Sequence, residues 1–336
     1  MSLTRYAAVH ESPQGPGDAR PTALQVLRDE NLDGEQLTGK SIFITGVSSG
    51  LGAETAKVLF RTGATLFLTA RDLARAKQAL GEELASSSRV HLLPLELGSF
   101  DSVRACAELF KAQGDNTLNI FIANAGIMAV PEGRTKDGFE LQFGTNHLGH
   151  FLLFTLLRPA LLKGAAIGFE SRAVFLSSMG HRFGEVRLDD YNFETDAYDP
   201  WKAYGQSKSA NLWTANEANR RYNNRGLRAF SVHPGGIVET TLLKHVSEEN
   251  KEAMVTDPTL KPTLKNTEQG AATTVWAAIS KSLDGLGGKY LENVQVAQPW
   301  NPEDGPWGRG YAPHAYSPEK ESQLWDLSLK LVGAEE

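Results

Sequence analysis

Tyr204 and Lys208 stand four residues apart in Tyr204-Gly205-Gln206-Ser207-Lys208. On a helix that spacing puts a phenol and an ammonium on one face, one turn apart. Far upstream, Thr45-Gly46-Val47-Ser48-Ser49-Gly50-Leu51-Gly52 closes an apolar run with a glycine-spaced turn. Such a turn suits a pyrophosphate. Its glycines let backbone approach a ligand, the following helix offers unpaired N–H groups at its positive dipole end, and Ser48 and Ser49 add hydroxyl donors. Together the two features point to hydride exchange between a nicotinamide cofactor and a carbonyl or alcohol. Alone, Tyr204 and Lys208 would describe any exposed polar helix face, so the weight falls on the elements around them.

From Ser41 onward, short apolar runs alternate with longer amphipathic stretches, the pattern of repeated βα units. Strands are predicted over 41–45, 65–69, 90–94, 119–123, 173–177 and 229–232, with helices over 50–62, 72–86, 100–113, 138–163 and 202–224. No Pro- or Gly-rich linker interrupts them. The expectation is an α/β, single-domain, doubly wound Rossmann fold, with a parallel sheet of about seven strands, helices on both faces and ligand at the carboxyl ends of the strands. Residues 1–38 read as a partly irregular N-terminal extension, with a short docking helix around Ala23–Leu27, and 39–336 as the NADP-binding domain. Within it, a substrate-loop region spans about 236–266 and a C-terminal tail about 296–336. Asn266 is a plausible N-cap for a helix over 267–281, and Pro318 suits the first turn of a helix starting at Ser317.

The second strand ends Leu68-Thr69-Ala70-Arg71, with no acid where NAD-binding folds place one for the ribose hydroxyls. Arg71 would instead accommodate a 2′-phosphate, so NADP(H) is the expected cofactor, though Asp72 stands beside it and a solvated Arg71 is the alternative. Gly34-Glu35-Gln36-Leu37-Thr38-Gly39-Lys40-Ser41 matches the letters of a nucleoside-triphosphate phosphate loop. That motif needs a strand before and a helix after, whereas here coil precedes and a strand follows.

Composition narrows the classes. A formal net charge of −6 argues against a nucleic-acid surface, and Cys106, the sole cysteine, excludes intrachain disulfides and a four-cysteine zinc site. No stretch approaches the roughly 18 apolar residues of a membrane span, no secretory leader is visible, and no metal-ligand spacing stands out, so a cytoplasmic protein without a metal is expected.

With these pieces in order, the chain resembles the short-chain dehydrogenase/reductase family over about residues 40–295. The glycine turn matches the family's T-G-x-x-x-G-x-G, and Asn124-Ala125-Gly126 matches its N-N-A-G with Ala123 in place of the first asparagine. Asn146 matches the helix asparagine, Ser178 closes the fifth strand, and Tyr204 with Lys208 completes Y-x-x-x-K. The resemblance implies a catalytic set of Asn146, Ser178, Tyr204 and Lys208. Tyr204 would exchange a proton with the substrate oxygen, its pKa lowered by Lys208 and the oxidised nicotinamide. Lys208 would also hold the nicotinamide ribose, Ser178 would orient the substrate oxygen, and Asn146 would hold a water leading from Lys208 toward solvent.

For the cofactor it implies Gly46, Ser48, Ser49, Gly50, Leu51, Gly52, Arg71, Asn124, Ala125, Gly126, Tyr204 and Lys208. Two contacts depart from the family pattern. Glu96-Leu97 occupies the place of an Asp-hydrophobic pair beside adenine. In Pro234-Gly235-Gly236-Ile237-Val238-Glu239-Thr240, Glu239 stands where threonine usually meets the carboxamide, so Thr240 is expected to fill the role after a one-residue insertion, alongside Pro234, Gly235 and Ile237.

Ser178 and Tyr204 are 26 residues apart, about twice the family's common spacing. The inserted stretch, Gly288-Lys289-Tyr290-Leu291-Glu292 and the long tail are similar to the retinol-dehydrogenase and WW-domain-oxidoreductase-like branch, especially fungal members, here without a WW domain. That implies an NADPH-dependent carbonyl reductase or reversible alcohol dehydrogenase for a lipophilic or aromatic small molecule. A non-catalytic NADP(H)-binding redox sensor and a reductase-derived cyclase are the alternatives. The insertion and residues 240–262 are expected to wall the substrate, with Met128, Met179, Phe183, Trp201 and Met254 as candidate lining, although each singly fits core or surface better. His181 is expected at the solvated surface. Monomer and homodimer both remain open.

Overall fold

The computed structural model describes residues 2–113, 116–165 and 169–335. After α1 (Ala23–Asp29), the βα units run β1 (Ser41–Thr45), α2 (Gly50–Phe60), β2 (Thr65–Ala70), α3 (Leu73–Leu80), α4 (Glu82–Ala85), β3 (Val90–Pro94), α5 (Phe100–Ala112) and β4 (Ile120–Ala123). The second half holds α6 (Gly149–Ala165), β5 (Ser171–Leu176), α7 (Pro200–Tyr222), β6 (Leu227–His233), α8 (Glu248–Thr256), α9 (Thr267–Gly270), α10 (Ala272–Ile279), β7 (Lys289–Glu292), β8 (Gln295–Val296) and α11 (Pro318–Val332).

The sheet has eight strands in the order β3-β2-β1-β4-β5-β6-β7-β8, one more than expected. All neighbours are parallel except the short β7–β8 hairpin. The strands' period of two sorts their side chains onto opposite faces. Phe43, Phe67, Phe121 and Phe175 face α5 and α6, while Ile42, Ile44, Leu66, Leu68, Ile120, Ile122 and Val174 face α2 and α10. The chain order reverses between β1 and β4, so the crevice at their carboxyl ends is the place where such a sheet binds ligands.

Three helices differ from their sequence pattern. The stretch over 72–86 divides at Gly81 into α3 and α4, and that over 267–281 divides at Ala271 after a capping box between Asn266 and Gln269. The helix over 138–163 starts only at Leu141, because the buried Glu140 carboxylate accepts the N–H groups of Gln142 and Phe143 (2.8 and 2.6 Å) and so caps the chain there. Its stretch Phe143–Leu148 is π-helical and leads into α6. In the decoy phosphate loop, Gly34–Lys40 is turn and coil and Ser41 opens β1, so no helix follows it.

The two terminal segments brace opposite sides. α1 lies on α10 and α2, and the buried Arg20 guanidinium donates to the carbonyls of Gly15, Thr263 and Leu264. α11 covers α6 and α7 with buried Leu324, Trp325 and Val332, and Glu321 accepts from Asn216 at 2.8 Å. Burying side chains of that size contributes roughly 1.5–3 kcal/mol each.

Candidate active site

β5 delivers Ser178 just past its end, and α7 delivers Tyr204 and Lys208 one turn apart beside it. Close packing at Gly205 lets the two elements meet. A Cβ there would lie 2.6 Å from the Gly184 nitrogen and 2.8 Å from the Gly180 oxygen. The Ser178 hydroxyl accepts the Gly180 N–H at 3.0 Å, and its nearness to the Tyr204 phenol favours the phenolate. Lys208 donates from Nζ to the Leu176 carbonyl at 3.0 Å, and Nζ lies 5.6 Å from the centre of the Tyr204 ring.

Both groups are buried, at 4% exposure each. Burial raises the Tyr204 phenol to about 12, with Ser178 pulling it partway back, and lowers Lys208 to about 8. This reverses, for the protein alone, the expectation that Lys208 lowers the phenol. Desolvation disfavours phenolate and ammonium alike, and it outweighs their mutual attraction.

Asn146 sits behind this pair on the π-helical turn. Its Oδ1 accepts the Ile127 N–H (2.8 Å) and its Nδ2 donates to the Ile127 carbonyl (2.9 Å) and to Ser207 Oγ (3.0 Å). A side chain at Gly126 would come 3.3 Å from Asn146 Oδ1 and 3.5 Å from Lys208 Nζ, so the missing side chain leaves room between them. Thr45 completes the support. Its Oγ1 accepts from the N–H groups of Asn124 and Ala125 (2.9 and 3.0 Å) and meets His150 Nε2 at 2.8 Å, while His150 Nδ1 meets the Asn146 carbonyl at 2.9 Å. Since that carbonyl can only accept, His150 carries its proton on Nδ1 and takes the Thr45 proton on Nε2.

One cavity of about 460 Å³ gathers all of the sequence-derived site residues except Asn146. Its phosphate end is fitted to a dinucleotide. The turn carries no side chain at Gly52, where a Cβ would lie 2.1 Å from the Gly46 oxygen, and α2 opens directly behind it with N–H groups toward the cavity. Pro234, Gly235, Ile237 and Thr240 line the wall opposite, where the Thr240 methyl approaches Gly50 and Ser49 Oγ meets Thr241 Oγ1 at 3.2 Å. Glu239 is not among the lining residues, whereas Thr240 is. Arg71, mostly exposed, pairs with Glu96 at 3.6 Å, and Glu96 Oε1 accepts the Gly98 N–H. Glu96 is thus engaged with Arg71 at the cavity edge.

Met128, Met179, Phe183, Trp201 and Met254 all line the cavity, including the three methionines that core packing could have claimed. The middle of the inserted stretch does not. Of residues 185–201 only Trp201 reaches the cavity. Asn192 and Tyr198 instead bond the 127–142 segment, Tyr198 Oη donating to the Val130 carbonyl at 2.9 Å and Asn192 Oδ1 accepting the Glu140 N–H at 2.8 Å. Tyr191 stacks on Phe143. The insertion is a strut under the π-helical turn, because its polar atoms find backbone partners there.

His181 is also not solvated. It is fully buried, its Nε2 accepting the Ala312 N–H at 2.9 Å and its Nδ1 donating to the Ser178 carbonyl at 2.6 Å. Residues that sequence reasoning missed include Arg75, in the first turn of α3 just past Arg71. Trp307 is another, and nothing local in the sequence brings it to a cavity built by residues before 265.

The chain is similar to known proteins. Residues 40–251 match the short chain dehydrogenase family. The chain is 45% identical over 332 residues to the short-chain dehydrogenase/reductase prx1 of Penicillium roqueforti, covering 99% of this chain and 96% of that one. It is 35% identical to human WW domain-containing oxidoreductase, over 94% of this chain and 72% of the relative. Mouse retinol dehydrogenase 12 is likewise 35% identical, over 89% and 88%. A solved structure from Mycobacterium paratuberculosis superposes with a TM-score of 0.68 at 34% identity, covering 90% of this chain and 97% of that one.

Proposed function

The chain belongs to the short-chain dehydrogenase/reductase family of oxidoreductases, and on that premise we propose that it is an NADPH-dependent carbonyl reductase, reversible as an alcohol dehydrogenase. The observation that carries this reading is the buried Tyr204 phenol, sharing the cavity wall with Ser178 and with Lys208 one turn behind it.

The bound nicotinamide would supply or accept the hydride. Ser178, which accepts the Gly180 N–H, turns its one O–H to the substrate oxygen and fixes its position. Tyr204 gives its proton to that oxygen as charge develops there, and a phenol held at about 12 keeps the proton until then. Lys208 favours the resulting phenolate and would bind the nicotinamide ribose. A water between Asn146 Oδ1 and Lys208 Nζ, in the space left by Gly126, would return the proton.

Arg71 and Arg75 at the adenosine end favour NADPH over NADH. The apolar walls of Met128, Met179, Phe183 and Trp201 favour lipophilic or aromatic carbonyls.

The test is a panel of aliphatic and aromatic aldehydes and ketones with NADPH carrying deuterium on the transferable position. A product gaining one deuterium is expected. Tyr204→Phe should bind NADPH within about twofold of wild type and lose on the order of 10³-fold in kcat. Retained turnover in that variant would refute the proton-donor role, and product of unchanged hydrogen count would favour a cyclase.

A further inference from the structure

Trp307 lies in the loop Gly305-Pro306-Trp307-Gly308, some hundred residues beyond the catalytic helix, yet it lines the cavity. The backbone on both sides of it is tied to the catalytic turn. Arg182, four residues past Ser178, donates to the Pro306 and Gly308 carbonyls, both at 2.9 Å, and lies over the Trp300 ring. The same tail is anchored again where the Ala312 N–H meets His181 Nε2, whose other nitrogen holds the Ser178 carbonyl.

Toward the other side, the indole N–H of Trp307 donates to Asp257 Oδ2 at 3.3 Å. Asp257 ends α8, and its other oxygen accepts the N–H groups of Thr259 and Leu260 at 2.7 and 3.0 Å. It therefore organises the end of the segment 241–260, which contributes Leu242, Leu243, Met254 and Leu260 to the cavity. α8 itself buries no residue, so few other contacts hold it in place.

We propose that Trp307 is a specificity-determining residue, latching segment 241–260 through Asp257 and forming, with Met254, the wall that an extended apolar carbonyl substrate meets. The substrate part rests on the reductase reading above. The latch does not.

The experiment uses the full-length chain as wild type, Trp307→Phe, Trp307→Ala and, as a control, Trp300→Phe, whose indole bonds Gly305 within the tail. Hydrogen exchange of residues 241–260 without cofactor reads the latch. Losing one hydrogen bond to a carboxylate should speed exchange there by roughly three- to tenfold in both Trp307 variants and leave Trp300→Phe within twofold. Reduction of 2-acetylnaphthalene and of propanal reads specificity. In Trp307→Ala, kcat/KM for the naphthyl ketone should fall about tenfold or more through KM, with propanal changed less than threefold.

Exchange unchanged in both Trp307 variants overturns the latch, and equal losses on the two carbonyls overturn the specificity role. If wild type reduces no carbonyl of a wider panel with either nicotinamide cofactor, the reductase reading fails, while the exchange result still decides the latch.

Discussion

α7 and α8 both face the cavity, and they are built in opposite ways. Every residue of α7 from Ala203 to Ala218 is buried, and many of its polar groups have fixed partners. Ser177 Oγ bonds the Lys208 carbonyl, Asn211 the Leu176 carbonyl and Trp213 the carbonyl of His314. α8 buries nothing and is held by its caps, by neighbouring Leu243, Val246 and Leu260, and by one indole. Groups that must transfer a proton need fixed geometry, while groups that only enclose a substrate must let it in and out. Changes in α7 should therefore be nearly all-or-none in rate, and changes in α8 graded.

The sharpest way to break that contrast is Lys208→Met. Activity should fall about 10³-fold, yet the protein should become more stable, since a fully buried ammonium costs folding energy. The sign follows from proton binding. Folded Lys208 releases its proton at about 8 and an unfolded lysine near 10.5, so between those values the unfolded chain holds more protons and stability rises with pH. The burden is full below pH 8, fades between 8 and 10.5, and is gone above that. Thermal melts should show the variant ahead by about 2 kcal/mol at pH 7, the lost Leu176 bond offsetting part of the gain, with the gap closing toward pH 10.5. A variant less stable at every pH would mean that Lys208 is structural.

Gly205→Ala tests the frame without touching a reacting group. Its new methyl would press on the backbone of Gly180 and Gly184, forcing α7 from the Ser178 turn. A loss of roughly 1–3 kcal/mol in stability and on the order of 10²-fold in kcat is expected, checked by melts and by steady-state kinetics in the same preparation.

The frame was also the part most legible in sequence. The glycine turn, Asn124-Ala125-Gly126, Ser178, Tyr204 and Lys208 sit on βα units whose periodicity places them locally, so type and spacing sufficed. The walls were not legible in the same way. The insertion around Asn192 and Tyr198 looked like a substrate wall but its polar atoms are spent on the backbone of 127–142, and His181 looked solvated because its partner, Ala312, is 131 residues away. Trp307 was invisible for the same reason. β7 was read as a branch motif instead of a strand, since its four residues carry too little alternation to stand out.

At the adenosine end, the side chains are exposed and the expected effects shrink. Arg71 is paired with Glu96 in the open, at 3.6 Å, so a 2′-phosphate has to compete with a carboxylate for it. Arg71→Ala should lower kcat/KM for NADPH about tenfold and leave NADH within twofold, because a screened charge-assisted contact is worth less than a buried one. Glu96→Ala should move NADPH the other way by a few-fold. Comparable efficiency with both cofactors in wild type would remove Arg71 from cofactor selection.

The smallest effect belongs to α8. Met254→Ala removes an apolar side chain that lines the cavity from a helix with no buried residue. The loss of contact should raise KM for a bulky aromatic ketone by roughly three- to tenfold and leave kcat and the NADPH dissociation constant unchanged. Stability should change by less than about 1 kcal/mol, because Met254 is only partly buried at the edge of its cluster. A drop of more than about 1 kcal/mol in the melting experiment would place α8 with α7 as part of the frame, and the contrast between the two helices would fall.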